Sequence, residues 1–276
     1  MKYFDAHTHV QFEAFKDDVG EVIKRTAEAE VGMNVVGTQY DTSAAAVVLA
    51  EQHEGVWATV GLHPIHTNKS FHDTKELGPS FAKATEGKEG FMSKGETFDK
   101  AKYAELARSN KVIAIGECGL DYYRLDEATK QMQVENFIAQ IELANELQKP
   151  LMLHIRNAYQ DAIEVLKAHA KVKGNVHFFA GDWEIARQFL DLGFTLSFTG
   201  VITFTHDYDE VIKNTPLDML LSETDAPYVT PVPHRGKRNE PSFVIEVIKN
   251  MAQIKGISEN EVQAQLLQNA RHVFQL

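Results

Sequence analysis

The sequence predicts an α/β fold, a (β/α)8 TIM barrel in a single domain, and three patterns point to it. Eight short runs rich in Val, Ile, Leu and Phe recur along the 276 residues. They are continuous and apolar rather than alternating, as parallel strands covered on both faces require. Helix-like stretches lie between them, and strands alternating with helices define a parallel α/β architecture. A doubly wound open sheet is the competing arrangement, but no Gly-x-Gly-x-x-Gly turn follows the first run.

The strands fall at 2–9, 34–40, 56–63, 112–117, 150–155, 175–179, 194–198 and 219–224. Helical spacing covers 17–29, 42–52, 158–170, 183–192 and 207–214, and two further helices close the chain at 242–255 and 258–273. The clearest helix spans 127–148, where Val134, Phe137, Ile138, Ile141, Ala144 and Leu147 form one apolar stripe. Ser258 with Glu261 three residues later is a capping-box signature. The rhythm breaks over 66–110, between the third and fourth strands. This insertion is polar, carries Gly87, Gly90 and Gly95 among lysines, and reads as a loop over 86–97 and a helix over 101–108. A variable surface insertion and a lid over a barrel mouth both fit it.

Composition narrows the class. Hydrophobic residues at 43% and charged residues at 24% are ordinary for a soluble globular enzyme-sized chain. No apolar run approaches a membrane span, and the first residues do not read as a signal peptide. Cys118 is the only cysteine, so no intrachain disulfide forms and a cytoplasmic location is expected. The net charge of −11 argues against broad coating of nucleic acid. Local contact stays open, because bound cations add positive charge that the sequence count omits. A monomer is the expected state.

Metal-competent side chains cluster at strand ends. His7 and His9 end the first strand, Glu117 ends the fourth, His154 lies near the end of the fifth, His177 is in the sixth, and Asp225 follows the eighth. In a barrel those ends meet at one face, where active sites sit. Residues two apart on a strand share a face, which groups His7 with His9, Ile113 and Ile115 with Glu117, and Leu221 and Glu223 with Asp225. A buried carboxylate has to be paired or bound to metal. Four imidazoles and two carboxylates exceed what one tetrahedral ion needs, so two metals sharing a carboxylate and a water fit the count. Imidazole-rich ligation leans towards Zn²⁺ or Mn²⁺ over Mg²⁺.

Five stretches then carry a resemblance. Asp5-Ala6-His7-Thr8-His9, Gly61-Leu62-His63-Pro64, Gly116-Glu117-Cys118-Gly119-Leu120-Asp121, His154-Ile155-Arg156 and Glu223-Thr224-Asp225-Ala226-Pro227-Tyr228 resemble motifs of the TatD family of metal-dependent hydrolases, within the amidohydrolase superfamily. Arg238-Asn239-Glu240-Pro241 is similar to another. The resemblance implies a barrel with two divalent metal ions (Zn, Mn or Mg) held by His7, His9, Glu117, His154, His177 and Asp225. It implies that Glu117 bridges the metals and that Asp225 binds one and handles the proton of the attacking water. The implied activity is a deoxyribonuclease cutting phosphodiester bonds, with single-stranded or frayed DNA as the substrate. Two departures stand out: His177-Phe178-Phe179-Ala180-Gly181 replaces the family's usual His-Cys-Phe with a following small hydroxyl residue, and 86–97 is longer than usual.

Other residues admit two readings each. His63 is a phosphate contact or a turn histidine held by its own loop. Arg156 and the segment from Arg235 to Arg238 clamp phosphate, or Arg156 pairs with an acid at the barrel rim while Arg235, Lys237 and Arg238 form a solvated face. Asp5 and Glu223 orient ligands from behind or make buried polar contacts. Asn239 and Pro241 start a helix, Cys118 is a packed thiol, and His53, His66, His72, His169, His206, His234 and His272 read as surface residues. Two other functions fit the same shell: an ester or amide hydrolase, such as a D-aminoacyl-tRNA deacylase, and a metal-stabilised binding protein without turnover.

Overall fold

In the computed structural model, which describes residues 1–68, 95–123 and 127–276, the eight apolar runs pair edge to edge in sequence order. The strands are β1 (Tyr3–Thr8), β2 (Val31–Val36), β3 (Val56–Val60), β4 (Val112–Asp121), β5 (Leu151–Arg156), β6 (Gly174–Val176), β7 (Thr195–Phe198) and β8 (Leu220–Ser222). Every neighbouring pair is parallel. The last strand turns back on the first: Thr8 bridges Ala226, the Asp225 amide donates to the His7 carbonyl at 2.9 Å, and the His9 amide donates to the Ala226 carbonyl at 2.8 Å. These contacts draw the sheet into a barrel.

The helices are α1 (Val19–Glu28), α2 (Tyr40–Gln52), α3 (Lys100–Leu106), α4 (Lys130–Leu147), α5 (Tyr159–His169), α6 (Trp183–Asp191), α7 (Asp209–Asn214), α8 (Val244–Lys255) and α9 (Glu259–Phe274). Asp99, Asp182 and Ser258 cap α3, α6 and α9 by accepting from backbone amides of the first turn. Val35, Val60, Ile115, Leu153 and Leu196 pack against Phe137, Ile141, Ile163 and Phe189 in the principal core. None of the described helices is long and apolar enough to cross a membrane.

Three expectations change. The second strand runs over Val31–Val36 rather than 34–40, and it stops short of 40 because Gln39 and Thr42 form a reciprocal cap that starts α2 at Tyr40. The fourth strand runs on past Glu117 to Asp121, so Glu117 lies within it rather than at its end. The inner face of α4 is partly polar: Gln133, Asn136 and Gln140 are buried beside Phe137 and Ile141 and bind the backbone of Asp121 at the end of β4, of Phe98 and of Leu62. In the insertion, α3 stands where a helix was expected, while 86–94, with Gly87 and Gly90, and His72 lie outside the described residues.

Candidate metal centre

The site starts with β1. His7 and His9 face the same way, and their Nε2 atoms stand 3.1 Å apart. The His9 Nδ1 lies 2.8 Å from the Val36 carbonyl, which can only accept, so Nδ1 carries the proton and Nε2 of the neutral ring is a bare lone pair. Two ring nitrogens this close need a proton or a cation between them. Donors bound to one tetrahedral ion at about 2.1 Å lie roughly 3.4 Å apart. From His7 Nε2 the separations are 3.5 Å to Glu117 Oε2 and 3.7 Å to Asp225 Oδ1. From His9 Nε2 they are 3.8 Å and 3.4 Å to the same oxygens. The spacing is that of a ligand set.

The other Glu117 oxygen faces a second group. Oε1 lies 3.0 Å from His154 Nδ1 and 2.9 Å from His177 Nε2, and those two nitrogens are 3.2 Å apart. His154 turns its Nε2 to Asp121 Oδ2 at 3.0 Å, which leaves Nδ1 as the lone pair facing Glu117. His177 Nδ1 lies 3.4 Å from Glu223 Oε1. Glu223 is itself fixed by the Phe178 amide at 2.6 Å and the Ser197 hydroxyl at 2.6 Å. Among the described residues, donor atoms lie within 4.8 Å of one another in His7–His9–Glu117, His63–Glu117–His154 and His7–His177–Glu223.

Backbone geometry brings these groups together. A side chain at Gly116 would put its Cβ 2.4 Å from the Met152 carbonyl, and one at Gly119 would sit 2.1 Å from the His154 carbonyl. Both glycines have positive φ, 152° and 139°. They let β4 bulge against β5, and the register shifts between Ile115 and Cys118. Simple alternation fails at two places: this bulge carries Glu117, and Asp225 adopts a left-handed φ of 54°. Asn239 clamps the Asp225 turn by donating to the Thr224 and Tyr228 carbonyls at 2.9 and 2.6 Å. Asp5 accepts from the Thr224 amide at 2.8 Å and the His7 amide at 3.3 Å, so it braces both ligand-bearing segments.

Charge follows from this crowding. Burial alone would push the Glu117 carboxyl up, but the imidazoles of His63, His177 and His7 hold it well below the ordinary carboxylate range. Burial opposes ionisation of Asp225 too, and its bond to His9 with the nearby His7 outweighs it, so the carboxyl titrates low. Burial depresses His177, yet Glu117 and Glu223 carry it well above the usual imidazole value. Burial and the neighbouring His154 push His63 down to about 4, keeping it neutral.

His63 differs from the other imidazoles. Its Nδ1 accepts from the Ile65 amide at 3.2 Å, so the proton sits on Nε2, 3.4 Å from Glu117 Oε1. It is a hydrogen-bond donor at the centre, held there by its own turn. Arg156 ends β5, and its guanidinium lies 3.6 Å from the centroid of the Tyr123 ring. Arg238 is a correction. Its guanidinium is committed to Asp18 at 2.8 and 2.6 Å and to the Ala14 carbonyl at 2.7 Å, over the Phe15 ring, and takes no part in the cluster. His66 is buried rather than on the surface, and His234 stacks on Phe243 with centroids 3.9 Å apart.

Asp121 is the site residue that spacing reasoning missed. Glu117 and Asp121 are four apart on one strand, a period-two signal hidden by ending the strand at 117. Gln133 holds the Asp121 backbone at both its amide and carbonyl, 2.8 and 2.9 Å. The replacements in the sixth-strand motif leave His177 beside Glu117: Phe178 takes a φ of 43° and gives its amide to Glu223, and the Ala180 amide donates to the Tyr159 hydroxyl.

A barrel whose strand ends gather histidines around a shared carboxylate defines a metal-dependent hydrolase class, and comparison with known proteins agrees. The family profile described as TatD related DNase matches residues 4–275. The chain belongs to the TatD family of metal-dependent hydrolases. It is 36% identical to the uncharacterized metal-dependent hydrolase YabD of Bacillus subtilis, over 99% of each chain. It is 32% identical to the 3'-5' ssDNA/RNA exonuclease TatD of Klebsiella pneumoniae, over 98% of this chain and 97% of that one. The crystal structure of YjjV, a TatD homolog from Escherichia coli K12, superposes with a TM-score of 0.80 at 27% identity, covering 100% of this chain and 98% of that one.

Proposed function

We propose that the chain is a two-metal phosphodiesterase that cleaves DNA from single-stranded or frayed ends. The observation that carries this reading is the division of Glu117: Oε2 faces His7, His9 and Asp225, and Oε1 faces His154 and His177. One carboxylate would thereby bridge two divalent ions, with Zn²⁺ or Mn²⁺ favoured by the imidazoles. Such ions supply Lewis acidity, activating water at neutral pH and drawing charge off the phosphoryl oxygens.

The protein's own groups do the rest. Asp225 is ionised, and at 12% side-chain exposure it is more open than Glu117 at 4%, so it is the carboxylate placed to take the proton of the attacking water. Neutral His63 offers its Nε2 proton to a phosphate oxygen. Arg156, two residues beyond His154 on β5, meets a flanking phosphate. Asp121 holds His154 in its ligand tautomer, and Glu223 sets its charge 3.4 Å from His177 Nδ1. The relative named as an ssDNA/RNA exonuclease supports a nucleic-acid substrate. The lone thiol, Cys118, suits a reducing cytoplasm.

The test offers metal-loaded protein labelled single-stranded DNA and D-aminoacyl-tRNA, with and without chelator, beside Asp225→Asn. Loss of DNA that requires metal and is suppressed by Asp225→Asn supports the reading. Hydrolysis of the aminoacyl ester with DNA left whole would transfer the site to ester chemistry.

A further inference from the structure

Beyond the metal cluster, the same mouth of the barrel carries an aromatic surface that the hydrolysis step does not use. Phe204 follows the short helical turn Gly200–Thr203 after β7 and is 45% exposed, unusual for a large apolar ring. The guanidinium of Arg235, from the loop after β8, lies 4.1 Å from the centroid of that ring. Arg235 is held there: its Nη1 donates to the Thr230 carbonyl at 2.9 Å. The two loops are tied where the Val232 amide donates to the Thr203 hydroxyl at 2.9 Å, and Val232, 44% exposed, extends the apolar patch.

Charge on the loop after β8 runs against the rest of the molecule, although Asp207, Asp209 and Glu210 follow Phe204 on the neighbouring one. The chain has a net charge of −11, yet residues 226–239 contain Arg235, Lys237 and Arg238 and no Asp or Glu. Arg238 is committed to Asp18, which leaves Arg235 and Lys237 as the exposed cations of the loop. A second pair of the same kind sits at the ends of β4 and β5, where Arg156 lies over Tyr123, itself 36% exposed. The two pairs stand on loops after β4–β5 and after β7–β8, and the donors His154, His177 and Asp225 fall between or beside those ends in barrel order.

We propose that Phe204 and Arg235 form a stacking platform for an unpaired base of a single-stranded nucleic acid, several nucleotides from the bond being cut. A flat ring backed by a guanidinium suits any base, because every base offers a π-face, and the adjoining cations meet the backbone phosphates. The Tyr123–Arg156 pair holds the strand on the other side of the cluster. Paired bases have no free face to give, so the platform selects single strands without reading sequence. This inference rests on the nucleic-acid reading above.

The experiment compares the wild type with Phe204→Ala, Phe204→Leu and Phe204→Trp, in the metal-loaded full chain. Each is assayed on a labelled single-stranded decamer and on a small aryl phosphodiester, and the readout is the ratio of kcat/KM on the two substrates. The proposal expects that ratio to fall about 5- to 100-fold in Phe204→Ala, through KM, the range of one lost base stack. Phe204→Leu, which keeps apolar bulk without a ring, falls similarly, and Phe204→Trp restores the wild-type ratio. An unchanged ratio in Phe204→Ala, or full rescue by Leu, would overturn the platform while leaving the nuclease reading intact. A wild type that leaves the decamer whole overturns both, and that result shows in the wild-type arm alone.

Discussion

Glu117 stands between two donor groups that the fold anchors in different ways. On one side, His9 is oriented by a main-chain carbonyl, Val36, and Asp225 by its own amide on the His7 carbonyl. On the other, His154 and His177 lean on carboxylates, Asp121 and Glu223. A carbonyl fixes a ring without adding charge. A carboxylate also makes the ring more basic, hence a stronger donor, and at the same time a better holder of protons. The first group sets a lowered imidazole, His7, beside a raised one, His9; the second, with both imidazoles raised, would compete harder with protons for a metal.

The largest effect expected from that contrast comes at the hinge between the groups. Glu117→Ala should empty both, lowering activity by more than about 100-fold, the upper end for an outer partner. Metal content per chain measures it, and a variant that keeps two ions would break the idea of a shared carboxylate. Next, Asp121→Asn should weaken the His154–His177 side alone, by about 10- to 100-fold in affinity. Chelator competition should then show one tight and one loosened ion. Equal loosening of both would erase the distinction between the anchors.

A smaller effect is a pH dependence that separates the groups. Burial works against charge on His154 and His177, but their carboxylate neighbours raise both, His177 well above the usual imidazole value; on the other side burial lowers His7, while Asp225 and Glu117 raise His9 against its burial. Protons therefore compete hardest on the second side, and its metal should be released first as pH falls from 8 towards 6, followed by calorimetric titration. The smallest effect lies outside both groups. Arg238→Ala should cost at most about 1 kcal/mol of stability, since more than a third of the Asp18 side chain is open to solvent, and leave cleavage unchanged. Asp18 has a lowered pKa, so that contribution is present above its unfolded value and fades as pH drops through the folded one. Denaturant midpoints at acid and neutral pH test the sign.

The barrel, and the gathering of six histidine and carboxylate side chains at one of its mouths, were legible in the chain because both rest on short-range regularities. Buried parallel strands must be apolar on both faces, and residues two apart must share a face. That parity places His7 beside His9 without any knowledge of the fold. It fails where the backbone stops alternating: the glycine-permitted bulge at Glu117 and the left-handed turn at Asp225. Both carboxylates still reach the centre, but through irregular backbone that no period reveals. Glu223 was grouped with Asp225 and is instead found behind His177. Arg238 shows the opposite error, a cation beside a motif that looks available until Asp18 arrives from 220 residues away.

The sequence by itself determined which residue types stand at strand ends, and with them the class of chemistry, because a histidine or carboxylate in an apolar run has few other uses. Only the tertiary structure decided what each one does. Whether an imidazole is a ligand or a proton donor depends on what touches its far nitrogen: Val36 for His9, Asp121 for His154, the Ile65 amide for His63. Two of those three partners come from other strands, at separations set by how β1 packs on β2 and β4 on β5. A hydrogen bond of 3 Å is a fact of three dimensions, and protonation follows it.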